Sequence, residues 1–330
     1  MWSPGEQAAG GGGQAGGDGY DNHGRQTHLV GIRCHTSCPM KPLLIIAPSP
    51  ARWPAVEALL SHLGEPWLDD LRRRLVDGIA DGNDAFALAP DGGHALAHAC
   101  IRRRHDIGVL GHLFTHADHR RRGCARLLLQ TLLSWFDMTG GKWLYLTSPA
   151  ELAESLFDKF GFKVLRRHGT EAQERVAMLR TPVRSVENPF EGLDDRQEIR
   201  DVSLADWALL VALLQHRPGP DPRVGLEESA LAAETTALEL ITQQRRGGCR
   251  LKVAWRRQRI VGLGSVATDQ DGKRTYAMLM PHDRPPEGMR AALLEFARAR
   301  GYEQVDFPME ALAAAPEPTT PGGQSELPSE

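Results

Sequence analysis

The residues best suited to chemistry lie in one run, Thr115-His116-Ala117-Asp118-His119-Arg120-Arg121-Arg122-Gly123-Cys124-Ala125. It joins an apolar stretch, Ile107 to Phe114, to a segment in which Ala125, Leu129, Leu132 and Phe136 recur at helical spacing. A loop that opens into a helix N-terminus presents backbone N–H groups with no intrahelical acceptor, and the helix dipole favours an anion there. Gly123 lets a ligand approach the main chain, and the small Ala125 allows close packing of the first turn. Arg120, Arg121, Arg122 and Arg126 add positive charge. The pattern fits a phosphate or pyrophosphate, with Cys124 serving as a small residue that offers its N–H.

Arg120-x-x-Gly123-x-Ala125 resembles the acyl-CoA pyrophosphate loop of the GNAT superfamily of N-acetyltransferases. A second stretch, Ser155-Leu156-Phe157-Asp158-Lys159-Phe160-Gly161-Phe162, resembles that family's Leu-Tyr-x-Lys-x-Gly-Phe signature and follows at the expected distance. Between the two lies a strand, Trp143 to Thr147, and a helix with Ala153, Leu156, Phe157 and Phe160 on one face. Gly161 ends that helix in a left-handed cap. The resemblance spans roughly Pro42 to Pro182. It implies a mixed α/β fold in which a mostly antiparallel sheet is flanked by helices, with acetyl-CoA as acyl donor. It also implies pyrophosphate on the amides of Arg121 to Arg126, and pantetheine along the edge of Leu113, Phe114 and Thr115, whose N–H groups polarise the thioester carbonyl.

Departures from the family pattern bear on catalysis. The tyrosine that usually protonates the leaving thiolate falls at Phe157, and the asparagine that holds pantetheine falls at Ala150. A thiol of pKa about 8.5 leaves without full protonation, so an absent acid slows turnover without forbidding it. His112, His116 and Asp106 are candidate bases, and a water relay is another route. His112 reads best as a packed histidine, and no catalytic residue is singled out.

The elements that must position this loop occur in an order that runs twice. In the first half a strand (Leu43 to Ala47), helices at Trp53 to Leu63 and Trp67 to Ile79, and strands at Ala85 to Ala89 and Ala95 to Arg103 precede the loop strand. In the second half a strand (Ile199 to Val202), helices near Trp207 to Leu214 and Leu231 to Gln244, and strands at Leu251 to Trp255, Ile260 to Thr268 and Thr275 to Met280 follow the same order. A helix bearing Met289, Leu293 and Phe296 and a strand at Glu303 to Phe307 complete it. The arrangement resembles tandem GNAT folds. The second loop, Pro281-His282-Asp283-Arg284-Pro285-Pro286-Glu287-Gly288, offers prolines without N–H groups and two acids, so this copy is expected to be degenerate and unable to bind CoA. The expected domains are a Gly-rich disordered tail (1–41), a GNAT acyl-CoA-binding domain (42–182), a linker (183–196), a degenerate GNAT-like domain (197–310) and a disordered tail (311–330). Met40 stands just before the first periodic pattern and serves as well as Met1 for a natural start.

Composition narrows the class. At 330 residues the chain suits two domains, and 41% hydrophobic with 25% charged residues fits a globular protein. A net charge of -3 and 6% aromatic residues argue against nucleic acid as partner, and no apolar run has the length of a membrane span. Arg102-Arg103-Arg104 reads as a solvated strand end. Five scattered cysteines point to a reducing compartment, hence the cytoplasm. Cys34 and Cys38 near His28 and His35 lack a second ligand pair at zinc spacing, so no metal is expected. The expected function is N-acetyl transfer from acetyl-CoA to a small-molecule or protein amine by direct attack in a ternary complex. The alternative is a non-catalytic acyl-CoA-binding or regulatory module, which Phe157 and Ala150 favour.

Overall fold

The computed structural model describes residues 41–168, 174–181, 189–190, 198–216, 232–247, 249–268, 275–280, 288–299 and 301. The first half builds a seven-stranded sheet from β1 (Leu43–Ile46), β2 (Ala85–Asp91), β3 (His94–Arg104), β4 (Ile107–Thr115), β5 (Trp143–Pro149), β6 (Lys163–His168) and β7 (Arg175–Arg180). Their order is β1-β2-β3-β4-β5-β7-β6, antiparallel throughout except where β4 meets β5.

Alternation along β3 sends side chains to both faces, and both are covered. Ala97, Ala99 and Ile101 pack with Leu128, Leu129, Leu132 and Phe136 of α3 (Cys124–Met138). Cys100, with Phe86 and Leu88 of β2, packs with Trp53, Val56 and Leu60 of α1 (Trp53–Leu60) and Leu71 of α2 (Trp67–Arg72). Helix α3 lies directly on the β4 backbone: a Cβ added at Gly108 would stand 2.8 Å from the Phe136 ring. The helix expected from Trp67 to Ile79 is α2 followed by a π turn, Arg73–Asp77, ended by Gly78. The one expected around Phe157 divides into α4 (Ala150–Ser155) and a 3-10 turn, Phe157–Phe160, closed by Gly161 at φ 85°.

The second half forms a four-stranded antiparallel sheet in the order β11-β10-β9-β8, from β8 (Glu198–Asp201), β9 (Cys249–Arg256), β10 (Arg259–Thr268) and β11 (Thr275–Met280). Three helices accompany it, α5 (Trp207–His216), α6 (Ala233–Arg245) and α7 (Met289–Ala299). The sequence of α5, Trp-Ala-Leu-Leu-Val-Ala-Leu-Leu-Gln-His, is apolar all round, and such a helix needs cover on every side. Every residue from Trp207 to Gln215 is buried. Trp207 to Leu214 share one cluster with Ile107, Val109, Trp143, Tyr145 and Leu179 of the first sheet and Leu251, Val253, Ile260 and Leu263 of the second. The expected strand Glu303 to Phe307, the second loop from Pro281 to Glu287, both tails and the Cys34 and Cys38 cluster lie outside the described residues.

The triple arginine at the end of β3 is not a solvated strand end. Arg102 is 0% exposed, Arg103 7% and Arg104 8%. Burial of three guanidinium groups requires partners, and each has them. Arg102 donates to Asp70 at 3.0 Å and lies 3.5 Å over the Trp207 ring. Arg103 donates to the Thr139 hydroxyl and carbonyl, and Arg104 to the Asp81 carbonyl. Among the described residues no helix is long and apolar enough to cross a membrane.

Candidate active site

Two irregularities in the first sheet shape a cleft. Strands β4 and β5 pair in parallel only at Ile107↔Trp143, Gly108↔Leu144 and Val109↔Tyr145. Beyond that point β4 stays with β3 as far as Thr115, and β5 stays with β7 as far as Pro149. The two strands therefore diverge, and peptide groups on their facing edges lose each other as partners. The second irregularity is a bulge. Gly111 pairs with Cys100 and Phe114 with His98, so His112 and Leu113 together face Ala99. His112 takes φ 52°, and its carbonyl accepts a hydrogen bond from His98 Nδ1 at 3.0 Å. The bulge breaks the regular alternation of β4 just before Leu113, Phe114 and Thr115, where the strand runs beside the open edge of the cleft.

The loop after β4 is tied at both ends. The His116 N–H donates to the Leu96 carbonyl at 2.9 Å, and a 3-10 turn covers Ala117–His119. Arg120 Nε donates to the Thr115 carbonyl at 3.2 Å, bridging the loop back to the strand end. Arg121 at φ 60° and Gly123 at φ 85° are both left-handed, and such turns bring successive N–H groups to one side as an anion-binding concavity. Helix α3 begins at Cys124 with no side-chain cap, and its first intrahelical bond in this turn is Leu127 N–H to the Gly123 carbonyl at 3.0 Å. The amides of Cys124, Ala125 and Arg126 thus precede the ladder. A Cβ built at Gly123 would meet nothing within 4 Å, so the space before these amides is open. The Cys124 side chain turns inward, 4% exposed, while Arg120, Arg121, Arg122 and Arg126 are exposed. The structure brings the ten residues picked from the sequence together as a strand edge, a loop and a first helical turn.

The base candidates separate. Asp106 accepts from Arg259 Nη2 at 2.9 Å and forms an ion pair with its Nη1 at 2.7 Å, where β4 begins. Five residues of strand put it about 17 Å from Gly111, out of reach of the cleft. His116 is exposed and 3.5 Å from Asp118. The His112 ring packs edge-on against Trp67 at 5.1 Å, and its Nε2 is buried with no hydrogen-bond partner among the described residues. Burial, with Arg102 nearby, holds that imidazole well below its ordinary pKa, so it is neutral at pH 7. Phe157 is 5% exposed and packs at 5.8 Å on Phe162, an apolar contact with no proton to give.

A group the sequence did not single out stands in the cleft. Glu234, in the first turn of α6, reaches from the second half to the place where β4 and β5 part. Thr147 on β5 stands on the other side of the carboxylate and favours its charged form. One oxygen lies 3.8 Å from Arg102 Nη2 and 3.8 Å from where a Cβ of Gly111 would be. Burial pushes the carboxyl above its usual range, against the pull of Arg102, Arg175 and Thr147. In sequence Glu234 is one acid in a helical stretch, and nothing local marks it.

The chain matches known proteins in the same region. Residues 53–162 match the model of the acetyltransferase (GNAT) family. A mycothiol acetyltransferase of Clavibacter sepedonicus is 27% identical over 270 residues, which is 73% of this chain and 81% of that one. Among solved structures, an acyl-CoA N-acyltransferase of Pseudomonas aeruginosa is 16% identical, with a TM-score of 0.36 over 43% of this chain and 99% of its own. A GNAT N-acetyltransferase of Escherichia coli in complex with CoA is 21% identical, with a TM-score of 0.33 over 44% and 84%. Residues 53–162 are a GNAT acetyltransferase domain, and the protein is an acyltransferase.

Proposed function

We propose that the protein transfers an acetyl group from acetyl-CoA to a primary amine, by direct attack of the amine on the thioester within a ternary complex. The observation that carries this reading is the uncapped α3 N-terminus set at the end of a bulged strand that diverges from its neighbour. Pyrophosphate would sit on the amides of Arg121 to Arg126, with Arg120, Arg121, Arg122 and Arg126 around it. The arm would run along Leu113, Phe114 and Thr115 into the cleft. There the strand N–H groups would polarise the carbonyl as negative charge develops on its oxygen.

The second half, from about residue 197, is proposed to be a degenerate copy of the same fold. Support comes from the order of its described elements: strand, two helices, three-strand meander, helix. Its proposed role is to complete the acceptor side of the first half. The similarity to a mycothiol acetyltransferase makes a small amine the first class of acceptor to try.

Two measurements test the reading. Saturating acetyl-CoA, at a hundred times its dissociation constant, should stabilise the protein by about 2.7 kcal/mol. Release of the CoA thiol should then depend on an added amine, assayed with amino sugars, amino acids and short peptides with free N-termini. Tight donor binding with no amine-dependent thiol release would favour the non-catalytic alternative, which the absence of a hydroxyl at Phe157 supports.

A further inference from the structure

We infer that Glu234, supplied by the second half of the chain, receives the acceptor ammonium and takes its proton in the first half's cleft. The inference rests on the acetyltransferase reading above and goes beyond it by naming the group and its origin.

Charge accounting is the first argument. Behind the cleft runs a buried ionic chain: Arg102 to Asp70 at 3.0 Å, Asp70 to Arg74 at 2.8 Å, and Arg74 to Asp84 at 2.9 Å. Two cations and two carboxylates balance there without Glu234, which lies at 3.8 Å from Arg102, beyond hydrogen-bond range. Glu234 therefore stands outside the balance of that ionic chain, with Arg102 at 3.8 Å and Arg175 of β7 as the cations near it. Its side chain keeps 17% exposure, whereas Asp70 has 1% and Asp84 3%, so only Glu234 of the three can meet a ligand. An alkylammonium answers both the charge and the access. Arg175 of β7 also faces Glu234, and His112 of β4 stands beside Arg102.

Position is the second argument. Glu234 adjoins Gly111, and the N–H groups expected to hold the thioester oxygen are those of Leu113, Phe114 and Thr115, the first of them two residues along β4. That is about 7 Å of strand. A nitrogen placed between them can sit about 3 Å from the carboxylate and about 3 Å from the acetyl carbon, which is a near-attack separation. His112 competes poorly for the role, because a neutral imidazole next to Arg102 neither attracts an ammonium nor holds its proton.

The step balances. The acceptor ammonium gives one proton to the Glu234 carboxylate, and the freed lone pair forms the C–N bond at the acetyl carbon. The C–S electron pair leaves on sulfur, and the second proton lost by nitrogen goes to that thiolate, giving CoA thiol. Glu234 returns its proton to water. The sum is ammonium plus acetyl-CoA to acetamide, CoA thiol and one proton.

The test uses the full chain with acetyl-CoA and the fastest amine of the panel, across pH 5.5 to 9. E234Q should keep the thermal shift caused by acetyl-CoA and lose about 100-fold or more in kcat/KM for the amine, with the acidic limb of the pH profile gone. T147V removes the hydroxyl that favours the charged carboxylate and that accepts from Gln215 Nε2 at 3.3 Å; with its fold checked by a thermal melt, it should move that limb to higher pH. If E234Q fails to fold, the T147V profile decides: an unmoved limb overturns the inference. A folded E234Q with the wild-type rate and profile also overturns it while leaving the acetyltransferase reading intact. A wild-type chain that binds acetyl-CoA and acetylates no amine overturns that reading and this inference together.

Discussion

Gly123 combines a left-handed φ of 85° with open space in front of it. Gly123→Asp should therefore fold with a penalty of about 1–2 kcal/mol from backbone strain. It should also lose the acetyl-CoA thermal shift, because a carboxylate would stand where the pyrophosphate goes. A folded variant that keeps the full shift would refute the loop assignment. His98 makes a different prediction. Its ring is fully buried, and burial lowers its pKa from 6.5 to about 4. The unfolded chain binds that proton below pH 6.5 and the folded chain only below about 4, so stability is complete above pH 6.5 and falls as pH drops through this window. The loss at pH 4 should be about 3 kcal/mol from this residue, and His98→Gln should flatten the dependence of Tm on pH. The loop that carries Arg120 and Gly123 into the α3 N-terminus was legible in the sequence, because its residues are neighbours in the chain. Glu234 was not, since its role depends on residues 87 and 123 positions earlier, Thr147 and Gly111, that only folding brings to it.

At the scale of elements, period and punctuation located nearly every strand and helix to within a few residues. What they could not supply were the irregularities that make the cleft. The parting of β4 from β5 is a property of pairing, and the His112 bulge depends on how β3 registers with β4. The buried arginines were misread for a related reason: three consecutive charges look solvated until Asp70 and Trp207 arrive from other elements. Packing of α3 on β4 gives a direct check. Gly108→Val would drive a branched side chain into Phe136, Ile101 and Leu144, all within 3.1 Å of a Cβ there. Overpacking of this kind costs about 1–3 kcal/mol and should tilt the helix whose first turn is proposed to hold the donor. Urea unfolding and acetyl-CoA affinity should worsen together; a loss of stability with unchanged affinity would mean that the loop is held independently of α3.

For the whole molecule, the cluster around α5 decides how the halves behave apart. Removing everything after Pro189 would uncover Ile107, Val109, Trp143, Tyr145 and Leu179, which now contact α5 and its neighbours. A contiguous apolar face of that kind promotes association, so a chain ending at 189 should aggregate or bind hydrophobic dyes. Recovery of a soluble monomer with a cooperative melt would show that the first half closes its own core. The intact protein should unfold in one calorimetric transition rather than two, because a single cluster draws on both sheets. The Arg102 contacts carry this into heredity. A guanidinium rooted in the first half stacks on Trp207 and faces Glu234, encoded 105 and 132 codons downstream of Arg102. Recombination near residue 190 that joined this first half to a foreign second half would leave Arg102 with Asp70 but without the Trp207 ring that covers it. Such chimaeras should be rescued when the incoming segment brings an aromatic ring to cover Arg102, so the two halves are inherited as one unit.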